Sequence, residues 1–238
     1  DSSFWDDNNA NDTISNDHLL LITSTKQLLS SLNSGVVLAA STLLFYTAPS
    51  SHVSSIARPL VRLIYEDPNN ISQVALKSIH TISCVYSHIF VPHVHHFFIH
   101  SRDIPEVKQL KLKVLSLLAT PTNSSMILNE LSKYAGSLDQ TLSAHSVTTM
   151  GRTSLRNPSL IPQFLGSLLR LLNRAEGPVL TEVVTVISYL LLQKRKSDDE
   201  AQALKKLCCK FLVIRDTTAR TAVLSIVGDM NDTHPEFA

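Results

Sequence analysis

Only six glycines occur among 238 residues, and none falls in G-x-G-x-x-G or G-x-x-x-x-G-K-[ST]. Backbone needs glycine to approach a phosphate that closely, so a nucleotide-cradling loop is excluded. Neither Gly151 nor Gly166 lies in a G-x-S-x-G elbow. The serines beside His145 in "SAHS" are local crowding, because catalytic triads assemble from distant segments. The reading is therefore of a protein that is not an enzyme, with no catalytic residue and no cofactor to assign. Cysteine is nearly absent too: Cys84, Cys208 and Cys209 contain no C-x-x-C, and an odd count does not suit a disulfide framework. That usage fits a reducing compartment. Cys208 and Cys209, in "LKKLCCKFL", read as small packing residues on a helix.

Charge of one sign is missing as well. Twenty-one basic residues against 20 acidic ones leave a formal charge of +1, without the basic excess that marks a nucleic-acid binder. No apolar run reaches the roughly 18 to 20 residues that a membrane-spanning helix needs, and "VLTEVVTVISYLLL" is interrupted by Glu182. The Asn-x-Ser/Thr triplets at Asn11, Asn70, Asn123 and Asn231 arise freely in a Ser- and Thr-rich chain. The opening "DSSFWDDNNANDTISND" is acidic, Asn-rich and without a signal-peptide pattern. Residues 1–16 are expected to be a flexible linker, and 17–238 a helical segment incomplete at both ends.

What is present is a period. Stretches of about 12 to 16 residues, apolar at spacings of three and four, recur with turn signals between them. They come in pairs whose second members begin near Gly35, Ile71, Glu106, Gln140, Pro178 and Thr217, at successive intervals of 36, 35, 34, 38 and 39 residues. Such a period belongs to helical repeat arrays. The Trp, Leu-Gly and Tyr pattern of tetratricopeptides is missing, and the fit is to HEAT or armadillo units. The predicted fold is all-α: a right-handed α-solenoid of about six helical hairpins with no β-sheet.

The first members include "PHVHHFFIH", residues 92–100, with four histidines in nine residues. A helix starting at Pro92 would align His93, His96 and His100 on one stripe and Val94, Phe97 and Phe98 beside it. Three imidazoles at that spacing can ligate zinc, which usually takes four ligands. A fourth is not evident, since Asp103 lies past the helix end and Cys84 beyond a turn. The expectation is a metal-free helix with its phenylalanines inward and its histidines at the wet edge.

Several of these helices, in order, resemble the beta-adaptins, the beta subunits of heterotetrameric vesicle-coat adaptor complexes. The likeness rests on "DHLLLITSTKQLL", on "FVPHVHHFFIHSRDIPEVKQLKLKVLSLLA", on "NSSMILNELSKYAGSLDQ" followed by "MGR", and on "DTTARTAVLSIVGD". "QLKLKVLSLLA" and "RPLVRLIYEDPNNISQVALKSIHTI" are most similar to the third adaptor complex. The sequence departs from the family at Asp229-Met230 and in its extra histidines. The resemblance implies a trunk segment of a scaffold subunit in Golgi or endosome to lysosome or vacuole transport, cytoplasmic and peripheral on Golgi or endosomal membranes and coated vesicles. Implied partners are the second large, the medium and the small adaptor subunits, with an Arf-family GTPase and cargo engaged through the whole complex. Another HEAT-like trunk, such as a coatomer-like subunit or a nuclear transport receptor, is the alternative.

No partner-interface residue is assigned from sequence. Arg58, Arg62, Arg170 and Arg174 either meet another subunit or lie over apolar surface with their heads in water. Lys194, Arg195 and Lys196 either touch acidic lipid or belong to a solvated loop whose Asp198, Asp199 and Glu200 open the next helix. In the last helix, Val223, Leu224, Ile226 and Val227 are expected to include residues buried only in a longer protein.

Overall fold

The computed structural model describes residues 15–65, 70–193, 205–211, 214 and 216–230. The first 14 residues of the expected linker, the run Lys194 to Glu200 and the triplets at Asn11 and Asn231 lie outside them. Among the described residues all regular structure is helical and no strand occurs. In chain order come α1 (Asn16–Leu28), α2 (Ser34–Thr47), α3 (Ser50–Val53), α4 (Ala57–Leu63), α5 (Ile71–Val85) and α6 (Pro105–Leu118). There follow α7 (Ser124–Ala135), α8 (Gln140–Arg156), α9 (Ile161–Leu172), α10 (Gly177–Gln193), the helical residues 205–210 as α11, and α12 (Thr217–Met230).

Local chemistry sets the helix starts. Ser15, Asn33 and Asp139 each accept a backbone N–H of the first turn of α1, α2 and α8, satisfying donors that have no partner inside the helix. Asp139 also accepts the Thr141 hydroxyl, and these bonds hold its carboxyl below the usual carboxylate range. Pro105 and Pro178 stand in the first turns of α6 and α10, where a missing N–H costs nothing. Gly177 opens α10 at φ 55°, a conformation that favours glycine.

The first members of the pairs are less regular than expected. The stretch from Val53 to Leu63 is a 3₁₀ turn, Ser54–Ile56, followed by α4. In one continuous helix Pro59 would clash with the Ser55 carbonyl and leave it unpaired; restarting at Ala57 moves the proline into a first turn. Pro158 and Pro162 impose the same solution, a 3₁₀ turn at Pro158–Leu160 before α9.

The chain divides into two compact units, Asp1–Ile79 and His80–Ala238. In the first, α1 and α4 pack on α2 around Ile22, Leu29, Val37, Leu44, Ile56 and Leu60, all buried. In the second, α6, α8, α10 and α12 stack in succession, while α7 backs α8 and α9 backs α10. This two-layer stacking of antiparallel pairs is the repeat-array arrangement that the period implied. Val223 and Ile226 of α12 are buried here and Leu224 is exposed.

Close approach in the stack comes from small residues. A Cβ on Gly151 would lie 2.8 Å from Val186 Cγ1, so α8 and α10 meet across glycine. Ser146, Thr149, Thr153 and Ser154 of α8 are buried, and each donates its hydroxyl to the carbonyl four residues back, at 2.6 to 2.9 Å. Hydroxyls satisfied in this way enter a core without an orphaned donor.

Candidate functional site: the first-helix face and its grooves

The histidine stretch is not an α-helix. Val91–Phe97 is a 3₁₀ helix, with three residues per turn. Val94 and Phe97 line up on the buried side; Phe98, one residue further, is extended and half-buried. Phe97 is fully buried and meets Phe90 edge-on, ring centroids 6.3 Å apart. The expected stripe of three histidines does not form, because His100 lies beyond the helix. His93 and His96, half-buried, stand with ring centroids 6.0 Å apart. Among the described residues no group of three His, Cys, Asp or Glu side chains is placed to hold a metal ion.

Sequence reasoning missed the polar cluster beside it. Lys111 is fully buried on α6 and donates to Asp103 Oδ2 at 2.6 Å and to the Phe98 carbonyl at 3.1 Å. Asp103 also accepts the His100 N–H at 2.8 Å, and the Tyr134 hydroxyl accepts the Ile99 N–H at 3.0 Å. Burial, opposed by that bond and aided by the charge of Glu130, pushes the Tyr134 hydroxyl up to about 12. The cluster fastens the 98–103 turn to α6 and α7. The signal was legible: Lys111 falls in the apolar stripe Val107, Lys111, Val114, Leu115, Leu118, where an ammonium needs a partner.

Asn123 also serves structure. Its side chain accepts the Thr120 N–H at 2.7 Å and donates to the Leu118 carbonyl at 2.9 Å, closing the turn from α6 to α7. Cys84 and Cys209 are free and exposed, and burial, with the neighbouring Cys209, pushes the free Cys208 thiol up. On the second helices, burial and then the charges of Lys113 and Arg156 push His80 below its ordinary value.

The four arginines singled out from sequence line two grooves between successive first helices. In the first unit Lys26, Leu29, Ser30, Ser55, Arg58, Pro59 and Arg62 border a groove between α1 and α4. Arg62 donates to the Ser31 carbonyl at 2.8 Å, and Lys26 Nζ lies 2.6 Å from His52 Nδ1. In the second unit α7 and α9 enclose about 560 Å³. Leu128 and Leu171 supply apolar floor; Asn129, Ser132, Gln163, Ser167 and Asn173 supply polar atoms; Arg170 stands in the last turn of α9 and Arg174 in the turn that follows the helix. Arg170 donates to Ser167 Oγ at 2.9 Å. Both grooves are open, and the α7–α9 groove has the more polar lining.

The family model described as the adaptin N terminal region matches residues 7–236. The chain belongs to the adaptin N-terminal family. The AP-3 complex subunit beta-2 of Mus musculus is 33% identical over 223 residues, 93% of this chain and 20% of that protein. The AP-3 complex subunit beta of Dictyostelium discoideum is 34% identical over 197 residues, 83% of this chain and 18% of its own length. The Homo sapiens AP-3 complex subunit beta-1 is 31% identical over 227 residues, 95% and 20% respectively. This adaptin segment thus spans about a fifth of the length of the curated relatives it matches. In fold it is similar to a chain of a homology model of the full-length AP-3 complex in an intermediate open conformation: TM-score 0.74, 21% identity, 94% of this chain and 37% of that one. Among the described residues of the adaptin segment, no helix is long and apolar enough to cross a membrane.

Proposed function

We propose that this chain is a non-catalytic scaffold segment from the trunk of an AP-3-type beta subunit, acting in vesicle-mediated protein transport from Golgi or endosome to lysosome or vacuole. The observation that carries the reading is likeness to AP-3 beta subunits along more than nine-tenths of the chain. It favours an adaptor over a coatomer-like trunk or a nuclear transport receptor. Stacked helix pairs suit the role physically, because a repeat array exposes long surfaces and leaves no need for an enclosed reaction site.

On this reading the protein assembles with a second large, a medium and a small adaptor subunit. An Arf-family GTPase and cargo are engaged through the whole complex, which associates peripherally with Golgi or endosomal membranes and coated vesicles. The segments 17–238 and 1–16 act as trunk and linker. The test is affinity purification of the tagged protein from cells of its source. Recovery of the three other adaptor subunits is expected; recovery of coatomer or nuclear-transport components in their place would overturn the proposal.

A further inference from the structure

We propose that the groove between α7 and α9 is a docking site for an extended acidic peptide of a partner protein. Its lining contains two guanidiniums and no carboxylate. Arg170 spends one contact on Ser167 Oγ, which leaves most of its five N–H donors unused. Among the described residues no carboxylate pairs with Arg170 or Arg174, and Arg174 is exposed. The comparable cations of the α1–α4 groove are more engaged, Lys26 by His52 and Arg62 by the Ser31 carbonyl.

Two features of the lining select a peptide over a lipid headgroup. The first is the set of side-chain amides, Asn129, Gln163 and Asn173. Each offers donors and an acceptor together, the complement of a peptide backbone that presents one N–H and one C=O per residue. A phosphate group presents acceptors only and would use the amide N–H donors while leaving the amide oxygens without a partner. The second is the apolar floor of Leu128 and Leu171 beneath the polar rim, which suits an apolar side chain between two charged ones.

Spacing narrows the peptide further. Arg170 stands in the last turn of α9 and Arg174 lies two residues beyond Leu172, in the exposed turn that follows. Alternate residues of an extended chain lie about 7 Å apart on one side. Acidic residues at every second position put a row of carboxylates along one side of such a chain, and planar guanidiniums pair well with carboxylates.

The test is fluorescence anisotropy on the full chain with a labelled ten-residue peptide carrying Glu at alternate positions, beside its counterpart with Gln at each Glu. The Glu peptide is expected to bind at least tenfold more tightly, and the double variant Arg170→Glu/Arg174→Glu to lose at least tenfold of that affinity with an unchanged circular dichroism spectrum. Arg58→Glu/Arg62→Glu should leave binding within about twofold. If the reversed arginines disturb folding, Arg170→Gln/Arg174→Gln and Asn129→Ala each weaken binding in the same direction. Equal affinity for the two peptides would overturn the proposal because charge would play no part, and equal losses from both arginine pairs would overturn it as general electrostatics. Cosedimentation with phosphatidylserine vesicles that required Arg170 and Arg174 while peptide binding did not would overturn it in favour of a membrane.

Discussion

The two helices of each pair solve different problems. The second members α2, α5, α6, α8, α10 and α12 run unbroken for 14 to 17 residues. The first members include an α-helix of seven residues entered through a 3₁₀ turn and a seven-residue 3₁₀ helix without any α turn. Proline marks the divide: in second helices it stands only in the first turn, at Pro105 and Pro178, whereas Pro59, Pro92 and Pro162 force first members to break and restart. In the second unit α8 and α10 each meet a second helix on both sides, so a kink in one would misalign the next. First helices tolerate irregular entry, and the gaps between α1 and α4 and between α7 and α9 are the grooves.

The largest expected effect tests whether the irregular layer is nonetheless anchored. Phe97→Ala should cost about 3 to 5 kcal/mol in urea unfolding, from lost transfer energy and the cavity left behind. Phe98→Ala, from a half-buried site, should cost roughly half as much, and His96→Ala about 1 kcal/mol or less. Equal costs for Phe97 and His96 would break the comparison, since the histidine edge would then hold as much of the fold as the core.

A comparable loss is expected where the two layers are tied together. Lys111→Met should cost about 3 kcal/mol, because Asp103 keeps its charge with its main partner gone. The double variant Lys111→Met/Asp103→Asn should recover a large part of that, and a double-mutant cycle reads the coupling directly.

The second-helix stack is probed at Gly151. Gly151→Ala gains about 1 kcal/mol of helix propensity yet forces its methyl against the stiff Val186 side chain, an overpacking that costs about 1 to 3 kcal/mol. Net destabilisation of about 1 kcal/mol is expected, and Val186→Ala in the same chain should relieve the clash. A stabilised single variant would show that α8 and α10 are not held in close contact.

Alkaline pH sharpens the role of the 98–103 turn. The Tyr134 hydroxyl, pushed up to about 12, ionises more readily in the unfolded chain, where its value is about 10. The unfolded state then holds fewer protons than the folded one between those values, so stability should fall as pH rises from about 10 to about 12. Tyr134→Phe should flatten that limb of the melting-temperature profile. The smallest effect is at Ser188, buried in the stack with no hydrogen-bond partner among the described residues. Ser188→Ala should be neutral or stabilising by up to about 1 kcal/mol, since it removes an unsatisfied hydroxyl.

The pairing, the period and the family were determined by sequence alone. Second helices start at Ser34, Ile71, Pro105, Gln140, Gly177 and Thr217, each within one residue of the position read from the sequence. Their signals are local, being caps, first-turn prolines and spacing of three and four, and a helix start depends on little beyond its own first turn. Tertiary structure decided what depends on neighbours. The histidine segment wound as 3₁₀ with Val94 and Phe97 inward, which moved Phe98 and His100 off their expected stripes. Lys111 entered the core because Asp103 and the Phe98 carbonyl, eight and 13 residues away in the chain, converge on its ammonium. Arg170 and Arg174 line a groove only because α7, a separate helix, brings Leu128, Asn129 and Ser132 beside them. Helical periodicity places each of these residues on a face of its own helix; which partner meets that face is settled by packing between segments.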